Sequence, residues 1–261
     1  MKRLMTLAIA AALLVSACTT STNGTTTTQA ATSTTSAVTT TSSTDAPSTT
    51  TTATPSTTTT TSTTVTTTTI AGQPIVFGPL AGDVIAVIGV AFDDVLNLRE
   101  NPGTDQTILK GLPPTYASMV AQGEAWQMPN SFWYKVEADG TIGWVSARFI
   151  AYLGDVTDDT SRIVGILGGI PEAETMLDLA DIVGDALGSD DPASLITVTV
   201  APTVGDLGEV VIDIVGLGDD SVRGLRAHIF GQPTEDGEGF SLKSVEVTTL
   251  CGRGLSDGLC T

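Results

Sequence analysis

The chain has 261 residues and a formal net charge of −18, with 29 Asp and Glu against 11 Lys and Arg. That excess repels phosphate backbones, so a nucleic-acid partner is not expected, and it disfavours anionic lipid headgroups and anionic wall polymers as well. A neutral or cationic partner fits better. Residues 1–17 and a low-complexity stretch after them cannot supply a core, which leaves about 190 residues, enough for one large or two small domains; a change of pattern near Gly154 favours two.

Met1-Lys2-Arg3 is a cationic start, and Leu4 to Val15 is an apolar run. The run is too short to cross a bilayer comfortably, which takes about 20 residues, and it suits the core of a signal peptide. It ends Val15-Ser16-Ala17-Cys18. This resembles the lipobox of bacterial lipoproteins. The resemblance implies that residues 1–17 are removed and that Cys18 carries a diacylglycerol thioether, with palmitate-type chains, as the mature N-terminus. The alternative is ordinary signal-peptide cleavage, which leaves Cys18 unmodified. Acyl chains contribute about 0.8 kcal/mol per buried methylene, and two or more hold firmly. The expected address is therefore the outer face of the cell membrane, at the cell surface, with lipid in place of a transmembrane helix.

From Thr19 to Thr69, 30 of 51 residues are Thr, and Asp45 is the only charge. With no hydrophobic alternation there is no face to bury, and the ordering entropy is not offset. Residues 18–70 are predicted to be a disordered tether, of a composition also seen in O-glycosylated stalks. Extended, it reaches about 160 Å at roughly 3.1 Å per residue; as a coil it spans nearer to about 40 Å.

Residues 83–154 carry short apolar runs between turns. Val84 to Ile88 is a strand candidate, and Val95 to Arg99 alternates so that Leu96 and Leu98 share a face. Asn101-Pro102-Gly103 and Pro113-Pro114 are breaks. Ser118 to Ala121, Trp133 to Val136 and Ile142 to Val145 read as further strands, with a turn at 138–141, and Arg148-Phe149-Ile150 closes the segment. Many short strands without a helical period mean an all-β sandwich or barrel. Leu96-Asn97-Leu98-Arg99, Pro102-Gly103, Trp133-Tyr134-Lys135-Val136 and Gly143-Trp144-Val145, in that order and spacing, resemble a bacterial SH3 (SH3b) domain. Glu100-Asn101 departs from the small residues common before the proline, and the stretch from Gln122 to Asn130 is long. The resemblance implies a partly open small barrel that binds cell-wall peptides or proteins without catalysis. Aromatic side chains offer large contact area at low entropy cost. Tyr116, Trp126, Phe132 and Trp133 are the ligand-shelf candidates, while Trp144, Val136 and Val145 read as core.

Residues 155–261 read as an α+β domain. A short helix is expected from Thr160 to Leu167, stopped by Gly168-Gly169. A second is expected to open at Pro171, with Glu172 and Glu174 in its first turn and Ala173, Met176, Leu177, Ala180, Val183 and Leu187 on one face, ending at Gly188. Strands follow at Leu195 to Val200, Glu209 to Val215, Val222 to Phe230 and Phe240 to Thr248. Their short links favour an antiparallel meander covered by helix on one face. Ile196, Val198, Val200, Val210, Ile212, Ile214, Leu225, Ala227 and Ile229 are the expected core face. After an export signal, Cys251 and Cys260 are expected to form a disulfide closing the tail. The fold class is thus multi-domain: a small all-β SH3-like barrel, then a helix-covered four-stranded antiparallel sheet, after a tether.

The search for chemistry returns little. His228, the single histidine, alternates with Arg226 and Phe230 on a polar strand face where Glu246 and Asp213 are possible neighbours, but no nucleophile is recognisably placed. The acidic pairs at 93–94, 158–159, 190–191 and 219–220 sit in turns or helix starts and suit capping better than calcium. Two cysteines without histidine do not complete a zinc shell, and no Walker loop or dinucleotide fingerprint is present. No metal, cofactor or catalytic residue is expected. The leading expectation is a lipid-anchored, non-catalytic binding protein for cell-wall peptide or peptidoglycan. The alternatives are an envelope enzyme using the second domain, or an envelope assembly factor recognising another protein.

Overall fold

The computed structural model describes residues 71–261. The leader, Cys18 and the threonine-rich stretch lie outside the described residues. The architecture is mostly β-sheet with two α-helices. In chain order the first strands are β1 (Gln73–Ile75), β2 (Val84–Val87), β3 (Leu96–Arg99), β4 (Ile108–Leu112), β5 (Met119–Met128), β6 (Ser131–Ala138) and β7 (Thr141–Ser146). A 3-10 turn (Ala147–Phe149) leads into β8 (Ile150–Asp158). Then come α1 (Thr160–Leu167), β9 (Glu172–Ala173), α2 (Met176–Leu187), β10 (Leu195–Val204), β11 (Gly208–Val215), β12 (Val222–Pro233) and β13 (Phe240–Cys251). A small tail hairpin, β14 (Leu255–Ser256) and β15 (Leu259–Cys260), ends the chain.

The strands join one 13-stranded sheet in the order β10-β11-β12-β13-β8-β2-β5-β6-β7-β3-β4, with β1 beside β5 and β9 beside β13. The sheet is large and does not close on itself. β8 is the hinge of the layout. Its first residues pair with β2, Val87 opposite Ile150, and its later residues pair with β13, Glu246 opposite Asp158. The boundary expected after residue 154 therefore falls inside a single strand.

Two cores result. In the SH3-like segment Leu96 and Leu98 are buried with Ile85, Val87, Leu112, Met119, Val136 and Val145, as the alternation in β3 demands. Trp144 is also buried. In the second half Val210, Ile212, Ile214, Ala227 and Ile229 line the inner face of the meander beneath α1 and α2. Each buried valine, leucine, isoleucine or methionine among them contributes about 1.5–3 kcal/mol.

Three expectations need correction. The second helix starts at Met176, not at Pro171: the Thr175 hydroxyl accepts the Asp178 amide N–H at 3.1 Å and caps it. That cap supplies an orphan donor with its acceptor, while Glu172 and Ala173 are held extended against Ser241 and Phe240 of β13. Accordingly Leu179, not Leu177, faces the core, and Leu177 is exposed. Finally, a bulge in β10 between Val198 and Val200 turns Thr199 inward and Val200 out to solvent, because one extra residue in a strand flips the alternation beyond it. The Thr199 hydroxyl is satisfied by donating to the Val211 carbonyl oxygen. β4 was not foreseen, since Ile108-Leu109-Lys110-Gly111 carries no alternation, and both Ile108 and Leu109 are exposed.

Gly168 ends α1 in the left-handed region, φ 71°, where glycine carries no Cβ penalty. Cys251 and Cys260 are joined, with Cα atoms 5.1 Å apart. Cys251 is fully buried in the SH3-like core, so the C-terminal tail is fastened to the first segment rather than fraying from the second.

Candidate binding face and cleft

Strand register assembles the site. Trp126 lies opposite Trp133, Trp133 opposite Ser146, Lys135 opposite Trp144 and Trp144 opposite Arg99. Paired residues share a face of the sheet, and Asn97 and Lys135 stand two positions from Arg99 and Trp133 on the same strands. All three tryptophans thus stand on the face of β5-β6-β7-β3 turned away from the first core, with Asn97, Arg99 and Lys135. Trp133 and Trp144 are themselves buried there, so Trp144 does not join Val136 and Val145 in the core where it was expected. Val136, Val145, Leu96 and Leu98 point the other way into the core.

The aromatics are fixed. Trp126 meets Trp144 edge to face, ring centroids 6.4 Å apart, and its indole N–H donates to the Ala71 carbonyl at 2.9 Å. Trp133 is only 3% exposed, and its indole N–H donates to the Ser131 hydroxyl. Lys135 places its ammonium 5.9 Å from the Trp144 ring centroid while paired with Glu124 at 2.8 Å. Arg99 donates to the Gln106 carbonyl at 2.6 Å, tying the 100–107 loop down beside the sheet. That loop contains the departure at Glu100-Asn101, and its Pro102 and Gly103 are buried.

Next to these residues opens a cleft of about 410 Å³, lined by Asn97, Arg99, Trp133, Ser146 and Phe149 and by Thr197 of β10. Asp94 and Thr104 stand among its lining residues. The cleft is lined by both halves of the described chain, with mixed apolar and polar walls, as ligand pockets usually have.

Of the four shelf candidates, the structure brings Trp126 and Trp133 onto one face and leaves the other two elsewhere. Tyr116 packs on the first core and donates its hydroxyl to Asp139 at 2.7 Å. The hydrogen bond from Lys110, and after it the one from Tyr116, hold the Asp139 carboxyl below its ordinary range. Phe132 points to the opposite side of β6 from Trp133 and stacks edge to face with Phe77, 5.3 Å between centroids. Asn97, Arg99, Ser146 and Phe149 were missed as cleft residues. The alternation that buried Leu96 and Leu98 already turned Asn97 and Arg99 outward, so that signal was available; Thr197 is brought in by tertiary pairing and left none.

The polar face around His228 is partly as expected. His228 stands opposite Glu246 in register, but its ionic neighbour is Glu209, 3.5 Å from Nε2, and its ring lies 4.1 Å from that of Phe230. Asp213 is committed to Arg226. Ser244 lies opposite Phe230, and no hydroxyl donates to the imidazole among the described residues. Asp158 and Asp219 accept backbone N–H groups of Thr160 and of Ser221 and Val222, which is capping and turn chemistry.

Residues 94–151 match the family model described as bacterial SH3 domain. No curated protein matches the chain, and no solved structure does. Among the described residues no helix is long and apolar enough to cross a membrane.

Proposed function

We propose that this chain is a non-catalytic binding protein of the bacterial cell envelope that holds cell-wall peptide or peptidoglycan on the tryptophan face of its SH3b segment. The observation that carries the reading is the cleft of about 410 Å³ beside Trp133 and Arg99, within the segment that matches bacterial SH3 domains. Trp133 and Phe149 are the aromatic residues at its lining, and Asn97 and Ser146 add hydrogen-bonding groups there. In this reading residues 83–154 are an SH3-like barrel and residues 155–261 an α+β module that completes the cleft.

The lipid anchor belongs to the same proposal. Residues 1–17 act as the signal peptide, Cys18 carries the lipid, and residues 18–70 serve as the tether that holds the folded part off the outer face of the membrane. The support is the Val15-Ser16-Ala17-Cys18 sequence after a cationic start and an apolar run.

Co-sedimentation of the mature chain with purified cell walls tests the binding. Wild type is expected in the pellet, with Asn97→Ala and Thr104→Trp shifted to the supernatant at unchanged melting temperature. Asn97 makes no protein hydrogen bond through its side chain among the described residues, and Thr104 is exposed, so neither substitution threatens the fold. Wild type remaining in the supernatant would remove wall binding as the function.

A further inference from the structure

The cleft does not end at Phe149. Gly89 and Phe149 also line a second hollow of about 240 Å³ with Arg148, Leu195, Val215 and Gly216. Arg148, Val215 and Gly216 in turn line a third, of about 480 Å³, that adds Asp219, Asp220, Arg223 and Arg253. The three hollows adjoin through shared residues and follow the seam between the SH3-like segment and the meander.

In a chain of net charge −18 the lining of this seam is near balance, with Arg99, Arg148, Arg223 and Arg253 against Asp94, Asp219 and Asp220. Residues 71–261 hold nine Lys and Arg. Five of them, Lys110, Lys135, Arg162, Arg226 and Arg253, have a carboxylate within ion-pair distance. Of the four that have none among the described residues, Arg99 lines the first hollow, Arg148 the second and third, and Arg223 the third. In a chain with 29 acidic residues, cations left without carboxylates and gathered in one groove mark a place kept for a ligand's negative charge.

The third hollow is built for it. Arg223 is half-buried, with one hydrogen bond, to the Ile150 carbonyl at 3.1 Å, and burial lowers its pKa. A guanidinium has five N–H donors and stays protonated, so most of its donors are not used by the protein. Arg148 is exposed and lies over the Phe149 ring at 5.6 Å. Of the two carboxylates nearby, Asp220 pairs with Arg253 at 2.7 Å, while Asp219 accepts the amides of Ser221 and Val222 and keeps its charge.

We infer that Arg148 and Arg223 form a carboxylate subsite at the end of the groove, which takes the free C-terminal carboxylate of a short peptide lying toward Arg99 and Trp133. The inference rests on the peptide-binding reading above and adds what the ligand's end must carry. The net charge of the chain repels a polyanion, whereas a single carboxylate on a mainly neutral peptide meets a local positive site.

The test is calorimetric titration of the mature chain with acetyl-Lys-D-Ala-D-Ala and with its C-terminal amide. The free acid should bind at least about tenfold tighter, as expected for a charge-assisted bidentate contact. Arg148→Gln and Arg223→Gln should each bring the acid down to the amide's affinity and leave the amide unchanged. Arg148 is exposed, so its variant keeps the inference testable even if Arg223→Gln unfolds. Equal binding of acid and amide, no binding of either, or an acid preference that survives Arg148→Gln overturns the inference. Competition by inorganic phosphate as strong as that of the peptide acid also overturns it, because the site would then be a general anion site. Any of these results with wild type still pelleting on cell walls leaves the wall-binding reading standing; loss of pelleting removes that reading itself.

Discussion

Arg226 holds both carboxylate oxygens of Asp213 across β11 and β12, at 2.7 and 2.8 Å, and this pair adds a polar tie between the meander and the SH3-like segment to the pairing of β8 with both. The same Nη2 that meets Asp213 Oδ2 also faces the carbonyls of Val87 and Pro114, at 2.8 and 3.3 Å, and Asp213 Oδ2 accepts the Gly89 amide at 2.7 Å as well. Asp213 is fully buried, and its ionic cost is met by these extra hydrogen bonds. The small apolar cluster of Ile88, Ala151 and Leu250 lies at the same seam. The groove runs along this joint, so the rigidity of the joint sets the shape of the groove.

Breaking the pair from one side should be severe. Asp213→Ala leaves a buried guanidinium unpaired and is expected to cost about 3–5 kcal/mol, read by urea denaturation of the mature chain. Arg226→Met with Asp213→Leu removes both charges and is expected to cost clearly less than either single change. A double variant as damaged as the sum of the singles would show that the two residues act independently.

The tryptophans should separate stability from binding. Trp133→Ala empties a buried site and is expected to lower stability by about 3–5 kcal/mol. Phe132→Ala removes a ring that is 39% exposed on the other side of β6 and should leave wall pelleting intact. If Phe132→Ala abolishes pelleting while Asn97→Ala does not, the ligand sits on the opposite face.

How much of this was visible in the sequence differs by element. The strands of the SH3-like segment and the meander were legible because alternation and turn residues agree there, as at Leu96-Asn97-Leu98-Arg99 and at Leu217 to Asp220. Thr160–Leu167 was read to the residue, with Gly168 as its stop. The start of α2 was misread because Pro171 and two glutamates imitate a helix opening, whereas the deciding cap at Thr175 acts through a single side-chain hydrogen bond. Asp213 and Arg226 were legible as residues of one polar strand face, but not as a buried pair, since strand register decides that they meet. The tryptophan face was half legible: aromatic content nominated Trp126 and Trp133, alternation along β6 already turns Phe132 away from Trp133, and only the pairing of strands shows Trp144 on this face and Tyr116 off it.

The tail disulfide closes a nine-residue separation and should stabilise by about 2–3 kcal/mol in the chain-entropy view. Because Cys251 also belongs to the first core, Cys260→Ser should lower the melting temperature without disturbing the helices, which far-UV circular dichroism checks. No change in melting temperature on reduction would show that the crosslink carries no stability.

Acid should loosen the turns before the cores. Asp139, Asp158, Asp219 and Asp236 have carboxyls held below their ordinary value of 3.8, the first by its hydrogen bonds from Lys110 and Tyr116, the others by hydroxyl and amide donors. A depressed folded-state value contributes stability above the ordinary value, and that stability is lost as pH falls through the folded one. Stability should therefore decline below pH 3.8. Tyr152 behaves in the opposite sense: burial and its hydrogen bond to Asp83 raise its pKa above the ordinary 10.0. Its contribution is complete below that value and fades at higher pH. Denaturation midpoints across both ranges check the two signs.

His228→Ala removes a half-exposed imidazole beside Glu209 and is expected to leave wall pelleting and stability unchanged. Hydrolysis of wall material by wild type that disappears in this variant would favour the enzyme alternative. Mass spectrometry of the mature N-terminus is expected to show a diacylated Cys18; a chain still beginning at Met1 would remove the anchor from the proposal.

If ligand binds on the face where the three tryptophans stand, soluble wall fragments titrated into the mature protein should change its tryptophan fluorescence. The expected result is a saturable change that disappears in Asn97→Ala. Binding of the same fragments by calorimetry with no change in fluorescence would place the ligand elsewhere.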